Sequence, residues 1–206
     1  MLTSFLSVGR AEKASHQKFI RALERRLNSD GIELRRATPD HRSPLDKIRT
    51  EMAASDATII IAHERVFVES GFEFRGGGAK ESPLNECALP TVWNHIEAIL
   101  AIEAKHPLLV LCEPHIRPEG MLEPIGTHYI HRIEFEAEYL ESEEFSEILA
   151  QWRQDIERRS GVGRRISRAF SESLLDGVGA IAPIIGVGGA LLGFTFWLGS
   201  MVGGAS

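Results

Sequence analysis

The five residues Trp93-Asn94-His95-Ile96-Glu97 put an indole, an amide, an imidazole and a carboxyl within little more than one helical turn. The spacing predicts a helix from about residue 91 to 105, in which residues four apart share a face. Trp93 and Glu97 then stack one turn apart, and Leu100, Ala101 and Ala104 continue the row. A carboxyl in an otherwise apolar row either reaches out to water or is held at the lip of a cleft. In a cleft it would have a raised proton affinity and could stabilise a developing cation. The plain alternative is a solvated glutamate near a helix start, favoured there by the helix dipole.

The elements that must position this helix are readable. Leu2 to Val8 is a short apolar run ending at Gly9, a first strand. Phe19, Ile20, Leu23 and Leu27 form one helical stripe, stopped by Asp30-Gly31. Gly31 to Ala37 alternates, as a second strand near a sheet edge does. Thr38 to Ser43 is polar loop. Ser43-Pro44 is a helix entry, serine as N-cap and proline at the first helical position, and Leu45, Ile48 and Met52 mark the helix that follows. Ala57 to Ala62 and Pro107 to Cys112 are apolar throughout, as strands buried on both faces are. Tyr129 to Phe135 reads as a fifth strand. Glu141 to Arg159 reads as an amphipathic helix with Phe145, Ile148, Leu149, Trp152 and Ile156 inward.

This alternation predicts an α/β fold, a doubly wound parallel sheet with helices on both faces. Ligands of such sheets bind outside the carboxyl ends of the strands. Those ends are Ser7-Val8-Gly9-Arg10, His63-Glu64-Arg65 and Glu113. The topology therefore draws Glu97, Ser7, Gly9 and Arg10 towards one crevice, while His63 and Arg65 qualify by position alone. Between His63 and Pro90 the chain reads as long and irregular, with Arg75-Gly76-Gly77-Gly78 inside it. Those glycines do not join a strand to a helix, so a flexible lid fits them better than a phosphate cradle.

Composition narrows the function classes. The 206 residues suit one domain plus an appendage, and 43% hydrophobic residues allow a sizeable core. A net charge of -6 argues against a broad nucleic-acid-binding face. Cys87 and Cys112 are too few and too far apart for a disulfide framework or a zinc site, so a reducing compartment is expected. The histidines, His95 and His128 among them, show no metal spacing, so no metal is expected. The N-terminal apolar run is too short for a signal peptide.

From Gly177 to Ser206 no residue is charged. As one helix, Val178 to Val202 would reach about 37 Å, against a hydrocarbon core of about 30 Å. Arg158, Arg159, Arg164, Arg165 and Arg168 precede it and nothing charged follows, which places the N-terminal domain in the cytoplasm. Gly189-x-x-x-Gly193 and Gly199-x-x-x-Gly203 would allow close helix contact, and Pro183 is tolerated in a membrane helix. The alternatives are a buried helix, a flexible tail, or a helical hairpin in one leaflet bent at Gly186 to Gly189. Ser160 to Arg168 reads as a basic linker suited to anionic headgroups.

Three short motifs carry a resemblance. They are Phe5-Leu6-Ser7 at the end of the first strand, Ser55-Asp56-Ala57-Thr58-Ile59-Ile60-Ile61 entering the third, and Trp93 with Glu97 four residues on. Over residues 1–140 the chain resembles the TIR-like family, of flavodoxin-like fold, with relatives among nucleoside deoxyribosyltransferases. The resemblance implies an enzyme that cleaves the nicotinamide-ribose bond of NAD, or makes a cyclic nucleotide signal from it, in an antiphage or stress response. NAD is then the substrate, with no separate cofactor, and the protein is expected to form a homo-oligomer. The catalytic glutamate carries over to Glu97. The organisation that follows is a TIR-like domain over 1–140, an amphipathic helix and basic linker over 141–176, and a glycine-rich transmembrane segment over 177–206.

In that chemistry the ribose becomes oxocarbenium-like, and cationic nicotinamide leaves without protonation. One carboxylate near the ribose suffices, stabilising the cation and holding hydroxyls. Trp93 reads as pocket wall or as core tryptophan. Asn94 reads as a ribose or amide ligand, or as solvated. Ser7, Gly9 and Arg10 are placed to meet phosphate or ribose, with Arg10 suited to a bidentate contact and equally to a plain surface role. Two departures stand out: the long stretch before the key helix, and Arg35-Arg36-Ala37-Thr38-Pro39-Asp40 in place of the usual aromatic and acidic residues after the second strand. Some family members are scaffolds without activity, which keeps a non-catalytic nucleotide-sensing module as the alternative. A nucleoside deoxyribosyltransferase would need a second acid, for which Glu64 or Glu69 could serve.

Overall fold

The computed structural model describes residues 1–37, 43–74, 81–123 and 128–176, with side chains at all of these except 81 and 162–176. The first apolar run forms strand β1 (Leu2–Val8) and the striped segment forms helix α1 (Ala14–Ser29). Gly31 adopts φ +75° directly after the α1 C-cap, Asp30, the left-handed position that favours glycine. Strand β2 (Ile32–Arg35) follows, then helix α2 (Pro44–Ala53). Ser43 is its N-cap residue and Pro44 opens it, although the serine side chain makes no cap hydrogen bond. Strand β3 (Ala57–Ala62) is buried at every residue, as an uninterrupted apolar run must be.

The stretch read as an irregular loop is instead a hairpin of two nine-residue strands, β4 (Val66–Phe74) and β5 (Glu81–Leu89). Their antiparallel register runs from Val66 opposite Leu89 to Phe74 opposite Glu81. It skips the one position where Glu69 would face Glu86, and there Glu86 takes φ 47°. Two like charges across a ladder repel, and the backbone departs from strand geometry where they would meet. The triple glycine and the loop around Thr38-Pro39-Asp40 lie outside the described residues.

Helix α3 (Val92–Glu103) carries the key residues. Strand β6 (Leu108–Cys112), strand β7 (Ile130–Arg132) and helix α4 (Glu143–Asp176) complete the order. The main sheet is β2-β1-β3-β6-β7, every neighbouring pair parallel. The second strand is at an edge, as its mixed polarity predicts. Alternate residues of the central strands feed two cores. Leu6, Ile59, Ile61 and Leu111 pack with Phe19 and Leu23 of α1 and Phe145 and Trp152 of α4. Phe5 and Ile60 face the other way, towards Met52 of α2 and Ala98 and Ala101 of α3. The chain is therefore an α/β protein with helices on both faces of a parallel five-stranded sheet.

The chain divides into two compact units, Met1–Ser160 and Gly161–Ser206. The amphipathic residues Phe145, Leu149, Trp152 and Ile156 belong to the core of the first. No helix among the described residues is long and apolar enough to cross a membrane. The segment Val178 to Val202, read as a span, lies outside the described residues.

Candidate active site

Parallel pairing sets three strand ends side by side. Val8 lies beside Ile61, and Ala62 beside Cys112, so Gly9, His63 and Glu113 emerge at one edge. The connection from β5 returns to this edge before α3 begins. Thr91 caps α3, its hydroxyl accepting the Trp93 N–H at 3.4 Å. The buried stripe of α3 is Asn94, Glu97, Ala98 and Ala101. It differs from the row expected from residues 93, 97 and 100. Residues four apart are offset by about 40° around a helix of 3.6 residues per turn, and the offset leaves Trp93 43% exposed while Glu97 is 8% exposed. Trp93 is therefore neither a core tryptophan nor a wall of the cavity described next.

Glu97 lines a cavity of about 650 Å³ together with Gly9, Arg10, Gln17, Arg21 and Arg36, among others. Glu97 is a buried member of this lining, whereas Arg10, Arg21 and Arg36 are exposed members. The Asn94 Nδ2 donates to the Ser7 Oγ at 2.9 Å, and the Ser7 hydroxyl hydrogen-bonds to the Glu97 carboxyl. Asn94 Oδ1 is buried with no hydrogen-bond partner among the described residues. Burial pushes the Glu97 carboxyl up to about 7, and the Ser7 hydrogen bond offsets part of that by favouring the ionised form. Near neutral pH this carboxyl therefore exists in both protonation states. Such a group can give or take a proton, or face a developing cation as a poorly solvated carboxylate.

The other sequence candidates distribute unevenly. Ser7 and Asn94 are both buried and absent from the cavity lining, Asn94 bonding Ser7 and Ser7 bonding Glu97. Gly9 is where the chain passes closely: a Cβ there would lie 3.3 Å from Thr91 Cγ2 and 3.5 Å from His63 Nε2. Arg10 is in the lining, paired with Glu12 at 3.0 Å. Arg36, from the segment that departs from the family pattern, is paired with Glu24 on the same wall. Arg65 is exposed at the hairpin base, its N–H bonded to the Leu89 carbonyl at 2.9 Å.

His63 belongs to a second buried group that the sequence reading missed. His16 Nε2 lies 2.8 Å from Glu113 Oε1, and the Glu64 N–H donates to Glu113 Oε2 at 2.7 Å. The rings of His16 and His63 are 4.8 Å apart, and the His63 ring nitrogens approach the carbonyl oxygens of Gly9 (3.2 Å) and Glu64 (3.1 Å). The Glu64 side chain turns away to Lys13 at 3.0 Å and His115 at 3.1 Å, and the ammonium holds its carboxyl below the ordinary range. One signal for His16 was present: it continues the apolar stripe of α1 three residues before Phe19. Among the described residues no three His, Cys, Asp or Glu side chains are grouped to hold a metal ion.

In comparisons with known proteins, no family model matches this chain, and neither a curated protein nor a solved structure matches it significantly.

Proposed function

We propose that this chain is a membrane-anchored, TIR-like enzyme that cleaves the nicotinamide-ribose bond of NAD. The observation that carries the reading is the Glu97 carboxyl, buried on a cavity wall at the carboxyl edge of the sheet and pushed up to about 7. Leaving the inserted hairpin aside, the strand order is 2-1-3-4-5, the flavodoxin-like order expected of a TIR-like domain. The cavity is within the range of about 300 to 1,000 Å³ usual for small-molecule sites. The exposed Arg10, Arg21 and Arg36 in its lining suit a substrate with phosphates, and the buried Glu97 suits a ribose losing a cationic base. In this reading Ser7 and Asn94 are positioning residues: the amide holds the hydroxyl, and the hydroxyl holds the carboxylate. The charge-free segment 177–206 supports the anchor, and an NAD-consuming enzyme so placed fits antiphage defence.

The test is nicotinamide release from NAD by the full-length protein in detergent, with Glu97→Gln beside it. Release by the parent and none by the variant supports the reading. Equal release by both removes Glu97 from the mechanism, and no release by either leaves the non-catalytic alternative in force. That alternative, a nucleotide-sensing scaffold acting through assembly, draws on the apolar side chains that the hairpin leaves open to solvent.

A further inference from the structure

The β4–β5 hairpin has two unlike edges. The outer edge of β5 is covered at its base, where Ala88 bridges Ile116 and the Arg117 N–H donates to the Ala88 carbonyl at 2.9 Å. Further out β5 carries Pro83, which has no N–H to offer. The outer edge of β4 has no strand partner among the described residues and carries no proline. A two-stranded ribbon is marginal by itself in water, and this one leaves Phe72 65% and Phe74 70% exposed.

The residues of β4 show what would cover that edge. Val66, Val68, Ser70, Phe72 and Phe74 alternate onto one face. The pattern is symmetric about Ser70, with two apolar residues on each side. We propose that β4 pairs antiparallel with β4 of a second copy of this chain, about a two-fold axis at Ser70. In that register Val66 meets Phe74 and Val68 meets Phe72, twice each, so the four apolar side chains of each β4 gather on one face of the resulting four-stranded sheet, on either side of the central Ser70 pair. On the other face Glu69 falls opposite Gly71, and Glu73 opposite Phe67, so no two acids of β4 face each other. A shift of one residue in either strand would put Val66, Val68 and Phe72 against residues of the opposite face's set and lose the match. The interface is isologous and closes at two copies, and it recognises its partner through main-chain hydrogen bonds with alternate side chains setting the register. It is independent of the NAD reading, since no residue of β4 lines the Glu97 cavity.

The experiment is disulfide trapping in the full-length protein in detergent. Both natural cysteines, Cys87 and Cys112, are buried. Ser70→Cys would face its own copy across the axis, within the 4.4 to 6.8 Å Cα separation that a disulfide spans. Val66→Cys would be about 27 Å from its copy, eight residues along the strand, but adjacent to the partner position of Phe74→Cys. A disulfide dimer from Ser70→Cys, none from Val66→Cys, and its return in the Val66→Cys/Phe74→Cys double variant support the pairing. Sedimentation provides the second measurement: Phe72→Lys with Phe74→Lys shifts the protein to monomer while the far-ultraviolet circular dichroism stays unchanged. No dimer from Ser70→Cys, equal trapping at positions 66 and 70, or a folded lysine variant that dimerises as the parent does, overturns it.

Discussion

Two buried titratable groups, one at each end of the main sheet, are shifted by burial in opposite directions. At the amino end Thr3 and Asp56 are tied to each other and to α4. Asp56 accepts from the Thr3 N–H and hydroxyl at 2.9 and 3.0 Å, and the Asp56 N–H returns a bond to the Thr3 carbonyl at 2.9 Å. Trp152 and Arg159 on α4 donate to the carbonyls of Pro107, Asp56 and Ala104. His106 is held neutral there, paired with Thr58 at 3.0 Å and pushed down to about 4 by burial and by Arg159. At the carboxyl end Glu97 is pushed the other way, to about 7, beside an open cavity, and Asn94 Oδ1 is left without a partner. At the amino end the buried ring of His106 is bonded and held neutral. The other end keeps a carboxyl in an unfavourable state, which is the arrangement expected where charge develops on a ligand.

The largest expected effect breaks this comparison at its carboxyl end. Glu97→Gln is expected to lower nicotinamide release by about 10² to 10³-fold or more, the scale for removing one electrostatic stabiliser of a transition state. Asp56→Asn, at the other end, alters hydrogen bonding remote from the cavity and should leave kcat within about threefold while lowering thermal stability. Comparable losses from both variants, measured by single-turnover release, would mean that the asymmetry has no functional content.

The two shifted groups also pull stability in opposite directions with pH. Between about 4.5 and 7 the folded state holds a proton on Glu97 that the unfolded chain has released, so this contribution to stability falls as pH rises. Between 6.5 and about 4 the unfolded chain takes a proton on His106 that the folded state refuses, so this contribution falls as pH drops. Each amounts to about 3 kcal/mol at full extent. In the parent they partly cancel across the shared window. Glu97→Gln should therefore be more stable than the parent at pH 8 and level with it at pH 4, a difference of roughly 6 to 12 °C in Tm at pH 8. A variant with the same advantage at both pH values would show that burial does not disfavour the ionised carboxyl.

What the sequence disclosed follows from which interactions are local. The central strands were legible because burial on both faces leaves no polar residue in Ala57–Ala62. The α1 stripe was legible because its period is that of the helix itself. The hairpin was not. Glu69, Ser70 and Gly71 interrupt its apolar residues, and its stability rests on pairing across the ladder rather than on a buried face. Glu97 was found from its spacing to Trp93, yet the residue that holds it is Ser7, on a different element and 90 positions away in the chain. The His16–Glu113 contact joins residues 97 apart, and no local pattern announces such a pair.

Ser7 sharpens the comparison with a smaller effect. Its hydroxyl favours the ionised form of Glu97, so Ser7→Ala should raise the carboxyl further and move the pH–rate midpoint to higher pH. The change also strips the Asn94 amide of its acceptor, at a cost of about 1 to 3 kcal/mol in stability. A purely structural serine would give the second result without the first. A midpoint that stays in place or moves to lower pH would exclude Ser7 from positioning the carboxylate.

The smallest effect is expected at Trp93, and it tests the comparison from outside the cavity. The indole is 43% exposed and absent from the lining around Glu97. Truncation to alanine removes neither a cavity wall nor a buried core residue, so stability should change by about 0.5 kcal/mol or less. With no contact to the reacting end of a substrate, kcat and KM should each stay within about twofold, since only interactions that strengthen in the transition state alter the chemical step. A large rise in KM at constant kcat would place the indole against a part of the substrate outside the cavity. A fall in kcat approaching that of Glu97→Gln would mean that α3 turns its indole inward when substrate binds, and the functional edge would then be a site completed by its ligand rather than one already formed.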